Sequence, residues 1–441
     1  MNSRIFVAAA LLAMTAAAAS AQPVTLSLDE AVRRGLNAGE EIQLSASAVA
    51  EAEQQVVAAR SAIFPQVDGT IGYNRTIRSP YNFELPDGAN LPFGQSNTWI
   101  AQVVVNQTLY AAGKIGAGVE IAKQFAASAK AQSEEEKNTI ALAITEAYYD
   151  AALAREMAAI AEDSGRLMDQ QLAQVQLLKN AGNASELDLL RIRVERQNLQ
   201  PEITAAQNAR DVATLNLLRL INLPPDSDVV LEDVLDVSDF VTLDAETVPA
   251  IVEGATERRP AVEAAERIVN IREQVVKIER ADSLPTVDAT IVIGEQALPG
   301  SVFPGTDDFN SDWSAGIGVR IPLFDGGRRK AEVRIAQEQQ RQAELQLAQL
   351  REGVTLEVEQ QRRELERAAE QIGARNEAVR QAQHAYELTE LSYKVGNASR
   401  LDLMDARAQL RQATGYRAIS LHNYYIALAR LSRAAGMPVK G

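Results

Sequence analysis

Carboxylates are the residues of this chain best placed to do chemistry. Asp402 and Asp405 lie three residues apart, a spacing that puts both on one face of a helix, directly after the turn of a phrase GNASRLDLM at residues 396–404. Asp188 stands in a sister phrase, GNASELDLL, at residues 182–190. Acid–base catalysis would need such groups to face a nucleophile or a second proton-transfer group. The chain supplies neither. It has no cysteine and two histidines, His384 and His422, each in a helical pattern with no second ligand type beside it. Both read as helix-surface residues, and no metal site or cofactor is expected. No Gly-rich phosphate loop appears, and the chain does not read as an enzyme. What Asp402 and Asp405 can form is an acidic ring, if several copies of the chain bring them around one axis. A structural use competes for two of the three carboxylates: Ser185 with Asp188, and Ser399 with Asp402, fit the S-x-x-D capping box at a helix start. That role comes first for Asp188, Asp402 combines both, and Asp405 lies beyond the cap.

The elements that must position these groups come as two copies. Gly182 and Gly396 lie 214 residues apart, and the same spacing relates Trp99 to Trp313, Leu109 and Tyr110 to Leu323 and Phe324, and Gly113 to Gly327. Earlier in each half the spacing is 220, relating Arg60, Pro65, Val67, Asp68 and Thr70 to Arg280, Pro285, Val287, Asp288 and Thr290. The difference fits an insertion or deletion in the loop between those landmarks. A period this long is a duplicated domain-sized unit, far larger than a solenoid repeat. The first repeat covers 22–225 and the second 226–441, joined by an acidic stretch at 226–244.

Residues 1–21 have the layout of a secretory signal peptide: Arg4, an apolar run over 5–14, then small residues ending Ala19, Ser20, Ala21. The apolar run is too short to span a bilayer, so the mature chain, from about Gln22, is expected to be exported. With 44 Lys+Arg against 59 Asp+Glu, the formal charge of −15 argues against a nucleic-acid partner, because phosphate binding needs a basic surface. No apolar run of transmembrane-helix length follows the signal, so any membrane role must come through β-strands.

Helical spacing dominates both halves. Helices are expected at about 27–63, 114–179 and 185–221, and again at about 245–283, 328–394 and 399–435. At about 1.5 Å per residue, the middle helix of each set approaches ~100 Å and its neighbours ~55 Å, so two shorter helices end to end match one long one. Apolar stripes this thin suit coiled-coil packing.

Between the first and second helices of each half the period switches to two. Val67, Gly69, Ile71 and Tyr73 alternate with Asp68, Thr70, Gly72 and Asn74, and similar alternation recurs over 99–106, 286–293 and 313–321. Each half therefore contributes a β-hairpin, 66–108 around a loop at 79–95, and 286–321. Strands of about 10 residues with one apolar face suit a transmembrane β-barrel. The only two tryptophans, Trp99 and Trp313, sit where an interfacial aromatic belt forms. Four strands cannot close a barrel, and an open edge in lipid is costly. A dimer's eight strands would leave an interior filled by side chains, whereas a trimer's twelve leave room for a channel. The alternative is a soluble periplasmic coiled-coil scaffold whose hairpins mediate protein contact.

Residues at the junctions sharpen the choice. Phe64-Pro65 and Leu284-Pro285 where helix passes to strand, Leu109-Tyr110 and Leu323-Phe324 ahead of Gly113 and Gly326-Gly327, and the twin GNAS turns followed by Leu-Asp resemble the TolC-type outer membrane efflux proteins. The resemblance runs over essentially the whole mature chain. It implies a mixed α and β, mostly α fold: duplicated coiled-coil helices forming a periplasmic α-barrel, with four β-strands per chain in a trimeric 12-stranded outer membrane barrel. It also implies a passive exit duct of a tripartite efflux or type I secretion system, docked to a periplasmic adaptor (membrane fusion) protein and an inner-membrane pump. Asp402 and Asp405 align with carboxylates of the family's periplasmic constriction, where an acidic ring binds cations. Asp188 and Tyr393 match positions that hold neighbouring coils closed. The turn residues Gly182, Asn183 and Ser185, with Gly396, Asn397 and Ser399, form the exposed tip and are the expected adaptor contacts. One position departs from the pattern: the best-known members carry an arginine two residues after the turn glycine, where this chain has Ala398. Arg400 and Lys394 are the candidates to replace it.

Overall fold

A computed structural model of the chain describes residues 24–78, 96–232, 235 and 248–437. The expected signal peptide, the loop at 79–95 and most of the acidic linker lie outside the described residues. In chain order the elements are β1 (Val24–Leu26), α1 (Leu28–Ala38), α2 (Glu40–Ser61), β2 (Gln66–Arg75), β3 (Asn97–Tyr110), α3 (Lys114–Asn180), α4 (Glu186–Leu220), β4 (Val229–Leu231), α5 (Val248–Arg258), α6 (Pro260–Ala281), β5 (Thr286–Ala297), β6 (Phe309–Arg320), α7 (Arg328–Lys394) and α8 (Arg400–Ala434). They divide into two compact units. One, the helical unit, runs up to Leu44 and takes in Glu134–Arg259 and the chain from Gly353 on; the other, the sheet unit, comprises Ser45–Ser133 and Pro260–Glu352.

The four long helices start and stop within a residue of the sequence expectation, but the first helix of each half breaks in two. In place of one helix over 27–63, α1 yields to α2 at Gly39, whose backbone is extended (φ −62°, ψ 136°). In place of one helix over 245–283, α5 yields to α6 at Arg259, immediately before Pro260. Proline disfavours helical backbone in the residue before it and fits the first turn of the helix it begins. Gly39 and Arg259 are related by the 220-residue spacing, so the break belongs to the repeat.

A second departure lies in the helical unit. β1 and β4 pair in parallel, Val24 to Val229 through Leu26 to Leu231. Strands of three residues carry no readable period, and none is expected from the sequence at either site. The Tyr148 hydroxyl donates to the Leu26 carbonyl at 3.0 Å and Arg155 Nη1 to the Leu231 carbonyl at 2.7 Å, pinning the pair onto α3. Beneath it Ile144, Tyr148, Leu217, Leu218, Leu421 and Tyr424 are buried. Burying such a side chain contributes about 1.5–3 kcal/mol.

In the sheet unit four strands form one antiparallel sheet in the order β2-β3-β5-β6. Register places Val67, Ile71, Tyr73, Trp99, Val103, Ile291, Ile293, Trp313, Ile317 and Val319 on one face. Asp68, Thr70, Asn74, Gln102, Asn106, Asp288, Thr290 and Ser314 share the other. The apolar face is open: Ile71 is 83% exposed, Trp313 73% and Ile317 72%. β2 and β6 are the sheet's two edges.

Candidate functional site

Both GNAS phrases fold into one and the same turn, and the residue types explain it. α3 and α7 pass into a glycine with left-handed backbone, Gly182 at φ +81° and Gly396 at φ +83°, a conformation readily adopted only without a Cβ. Gly182 N–H donates to the Lys179 carbonyl at 2.9 Å and Asn183 N–H to that of Leu178 at 2.8 Å; Gly396 reaches Tyr393 at 3.1 Å and Asn397 reaches Ser392 at 2.8 Å. This double closure satisfies carbonyls that a helix end would otherwise leave unpaired. The next helix starts at a serine cap. Ser185 Oγ accepts from the Asp188 amide at 3.1 Å while Asp188 Oδ2 accepts from the Ser185 amide at 3.2 Å. Ser399 and Asp402 do the same at 3.2 and 2.8 Å. The expected capping box is therefore present at both turns. Ala184, between glycine and cap, packs against the cluster of Val175, Leu189 and Ile192 and fixes how the chain enters α4.

These bonds set the charge of the turns. The serine hydroxyl first, and the serine backbone N–H after it, hold the carboxyls of Asp188 and Asp402 below the usual aspartate range. Asp405 lies one turn further along α8 and is exposed.

Among the described residues, one side chain links the two turns by polar contacts. Arg400, the first residue of α8, places Nη2 3.5 Å from Asp188 Oδ1 and donates from Nη1 to the Asp188 carbonyl at 3.4 Å. Lys394 instead sits 3.3 Å from Glu390 on its own helix, so of the two candidates to replace the missing arginine only Arg400 reaches across. Asp188 and Tyr393 are not brought together. Tyr393 is half-buried, and its backbone carbonyl serves the Gly396 turn. Gly182, Asn183 and Ser185, with Gly396, Asn397 and Ser399, are all exposed, beside exposed Leu187, Val395 and Leu401.

At the end of the sheet, Trp99 stacks at 4.8 Å on Tyr73 and at 6.1 Å on Phe303, and its Nε1 donates to the Val302 carbonyl at 2.9 Å. Trp313 is bare on the same face. Trp99 pairs with Ala297 and Trp313 with Ile293, so equivalent residues of the two hairpins are staggered by four positions along β5.

Some groups escaped the sequence reading. His384 is exposed as expected, but His422 is not an ordinary surface residue: its side chain is 15% exposed, with Nε2 2.7 Å from Asp150 Oδ1. At the Pro260 break, Arg259 and Arg433 alternate with Glu135 and Glu357 in a closed square of contacts at 2.5–3.4 Å. Its four members come from four distant segments, and only the Arg259-Pro260 break had a local signal. Among the described residues no helix is long and apolar enough to cross a membrane, and no group of three metal-capable side chains forms.

Comparison with known proteins fits this geometry. The sequence model of the family described as outer membrane efflux protein matches residues 31–223 and again 251–437, once per repeat. The outer membrane efflux protein BepC of Brucella suis is 24% identical over 361 residues, covering 81% of this chain and 74% of that protein. The outer membrane protein TolC of Escherichia coli is 23% identical over 405 residues, covering 90% and 79%. The outer membrane protein VceC of Vibrio cholerae shares the fold with a TM-score of 0.75 at 18% identity, over 94% of this chain and 97% of that one. A duplicated helix and hairpin plan, a sheet with one open apolar face and two family matches in register with the repeats lead to one conclusion: the chain belongs to the outer membrane efflux protein family and is an exit duct of the Gram-negative outer membrane.

Proposed function

We propose that three copies of the chain join their four-stranded sheets edge to edge, β6 of one to β2 of the next, into one 12-stranded barrel. The helices then surround a periplasmic duct closed at the paired turns. Long unpaired strand edges are untenable in lipid, and the open face carrying Ile71, Trp313 and Ile317 is apolar as a lipid-facing wall must be. The four-position stagger between equivalent hairpins is what strands tilted across a barrel wall require. Trp99 and Trp313 serve as the aromatic belt. No catalytic step is part of this reading. Energy comes from an inner-membrane pump, to which a periplasmic adaptor connects the exposed turn residues Gly182, Asn183, Ser185, Gly396, Asn397 and Ser399.

The observation that carries the gate is Arg400 reaching from the second turn to Asp188 of the first. That link ties the two helical hairpins of a protomer, with Tyr393 left to meet a neighbouring copy, while Asp402 and Asp405 repeat three times around the entrance as an acidic ring. In planar bilayers, Asp402→Asn with Asp405→Asn is expected to weaken block by a trivalent cation; unchanged block would remove the ring from the gate. For the adaptor, the absence of cysteine makes Asn183→Cys or Asn397→Cys a unique crosslinking handle in cells. Capture of a periplasmic adaptor is expected from both, and capture from neither would refute the docking site.

A further inference from the structure

A cavity of about 460 Å³ lies inside the helical unit, between α3, α4, α7 and α8. Met168, Leu199 and Met404 give it apolar walls, with Tyr386, Glu195 and Arg407 among its polar lining. Its size falls in the range of small-molecule sites, roughly 300–1,000 Å³. Two of the charges around it stay outside ion pairs. Asp163 is paired with Arg166 at 2.7 Å and Glu202 with Arg411 at 3.5 Å. Glu195 Oε2 and Arg407 Nε, by contrast, are closed off from solvent with no hydrogen-bond partner. Folded proteins leave few such atoms unpaired.

Arg407 is moreover held by neutral groups only. Nη1 donates to Gln171 Oε1 at 3.3 Å, Nη2 to the Tyr386 hydroxyl at 3.4 Å, and the guanidinium lies 5.5 Å from the centre of the Tyr386 ring. The side chain is thus fixed in place with no ion-pair partner among the described residues, which is the form of an anion receptor. Glu195 offers the opposite charge on the same cavity. Water could satisfy either atom singly, yet it would leave one charge of each sign outside any direct ion pair beside apolar walls.

We propose that this cavity binds an amphiphilic zwitterion, with its ammonium on Glu195, its carboxylate or phosphate on Arg407 and its apolar body against Met168, Leu199 and Met404. Because the lining draws on both helix pairs, a bound molecule ties α3 and α4 to α7 and α8. The site does not depend on the gate assignment.

Fluorescence titration of the full-length protein in detergent tests it, with three dansyl probes that differ in end group: Nε-dansyl-lysine with ammonium and carboxylate, dansylcadaverine with ammonium alone, and N-dansyl-6-aminohexanoate with carboxylate alone. The zwitterion is expected to saturate and to bind about tenfold more tightly than either singly charged probe, as a charged hydrogen bond gained at each end implies. Glu195→Gln keeps the side-chain volume and should weaken zwitterion and cation about tenfold while leaving the anion unchanged. Leu199→Trp fills the cavity and should weaken all three. Equal affinity of the three probes for the unmodified protein, a zwitterion preference over the anion that survives Glu195→Gln, or binding that Leu199→Trp leaves unchanged, overturns the proposal.

Discussion

The two helical turns share a backbone, and three of the residues in which they differ decide what each turn touches. The 214-residue spacing relates Lys179 to Tyr393, Glu186 to Arg400 and Arg191 to Asp405. In the first turn Glu186 opens α4 and pairs with Lys179 across the turn. An acid at a helix start is also favoured by the helix dipole. In the second turn an arginine takes that place against the dipole, and a tyrosine stands where the first turn has lysine. Arg400 finds its carboxylate outside its own turn, at Asp188. The third difference sets the local charge: Asp188 has Arg191 nearby, whereas Asp402 is followed by Asp405. Shared residues make the turn. The unshared ones make the first turn self-contained and leave the second dependent on it, with its negative charge concentrated at the entrance.

The widest separation between the turns should come from exchanging that first helical residue. Arg400→Glu gives the second turn the residue of the first, puts like charge against Asp188 and removes the link. A severalfold rise in single-channel conductance of the reconstituted protein is expected. Glu186→Arg costs only a pair within one turn and should leave conductance unchanged. Equal effects from both substitutions would mean that the link holds nothing shut.

How legible this was depended on distance along the chain. The four long helices could be placed to a residue because glycine, serine and aspartate mark their ends locally, and the capping boxes were readable for the same reason. The faces of the sheet followed from alternation over eight or more residues. β1 and β4 were invisible, since a three-residue strand has no period and their pairing joins residues 24–26 to 229–231. At the site, the sequence nominated Asp188, Asp402 and Asp405 but left Arg400 and Lys394 undecided, because a contact between α4 and α8 is set by packing. Glu195 and Arg407 gave no signal at all: each is an ordinary helix residue until four helices enclose it.

A smaller effect should fall on both turns alike. Gly182→Ala and Gly396→Ala each force a side chain into left-handed backbone, at a cost of roughly 1–2 kcal/mol. Amide exchange at Asn183 and Asn397, whose N–H groups close the turns, is expected to accelerate by roughly tenfold in the respective variant, the same energy expressed as opening. If one glycine proved dispensable, the two turns would not be the same structure, and the contrast between them could no longer be assigned to three side chains.

The subtlest contrast is in proton binding. Asp188 and Asp402 both titrate below the usual range, chiefly through the serine hydroxyl and then the serine N–H, but the positive charges of Arg400 and Arg191 act on Asp188 alone. A carboxyl lowered by folding contributes its stabilisation above the unfolded-state value and loses it as pH falls through the folded one. Acid should therefore release both caps only below the ordinary aspartate range. Ser399→Ala removes the leading cause at Asp402 and leaves the residue-399 amide to act with no cation beside it, so that carboxyl should rise towards its ordinary value. Ser185→Ala leaves Asp188 under two arginines, and its titration should rise by less. Carbon-13 shifts of labelled aspartate carboxyls, followed against pH in both variants, measure the difference directly. Equal shifts would show that Arg400 lends Asp188 no electrostatic support, and the link between the turns would then be a matter of packing alone.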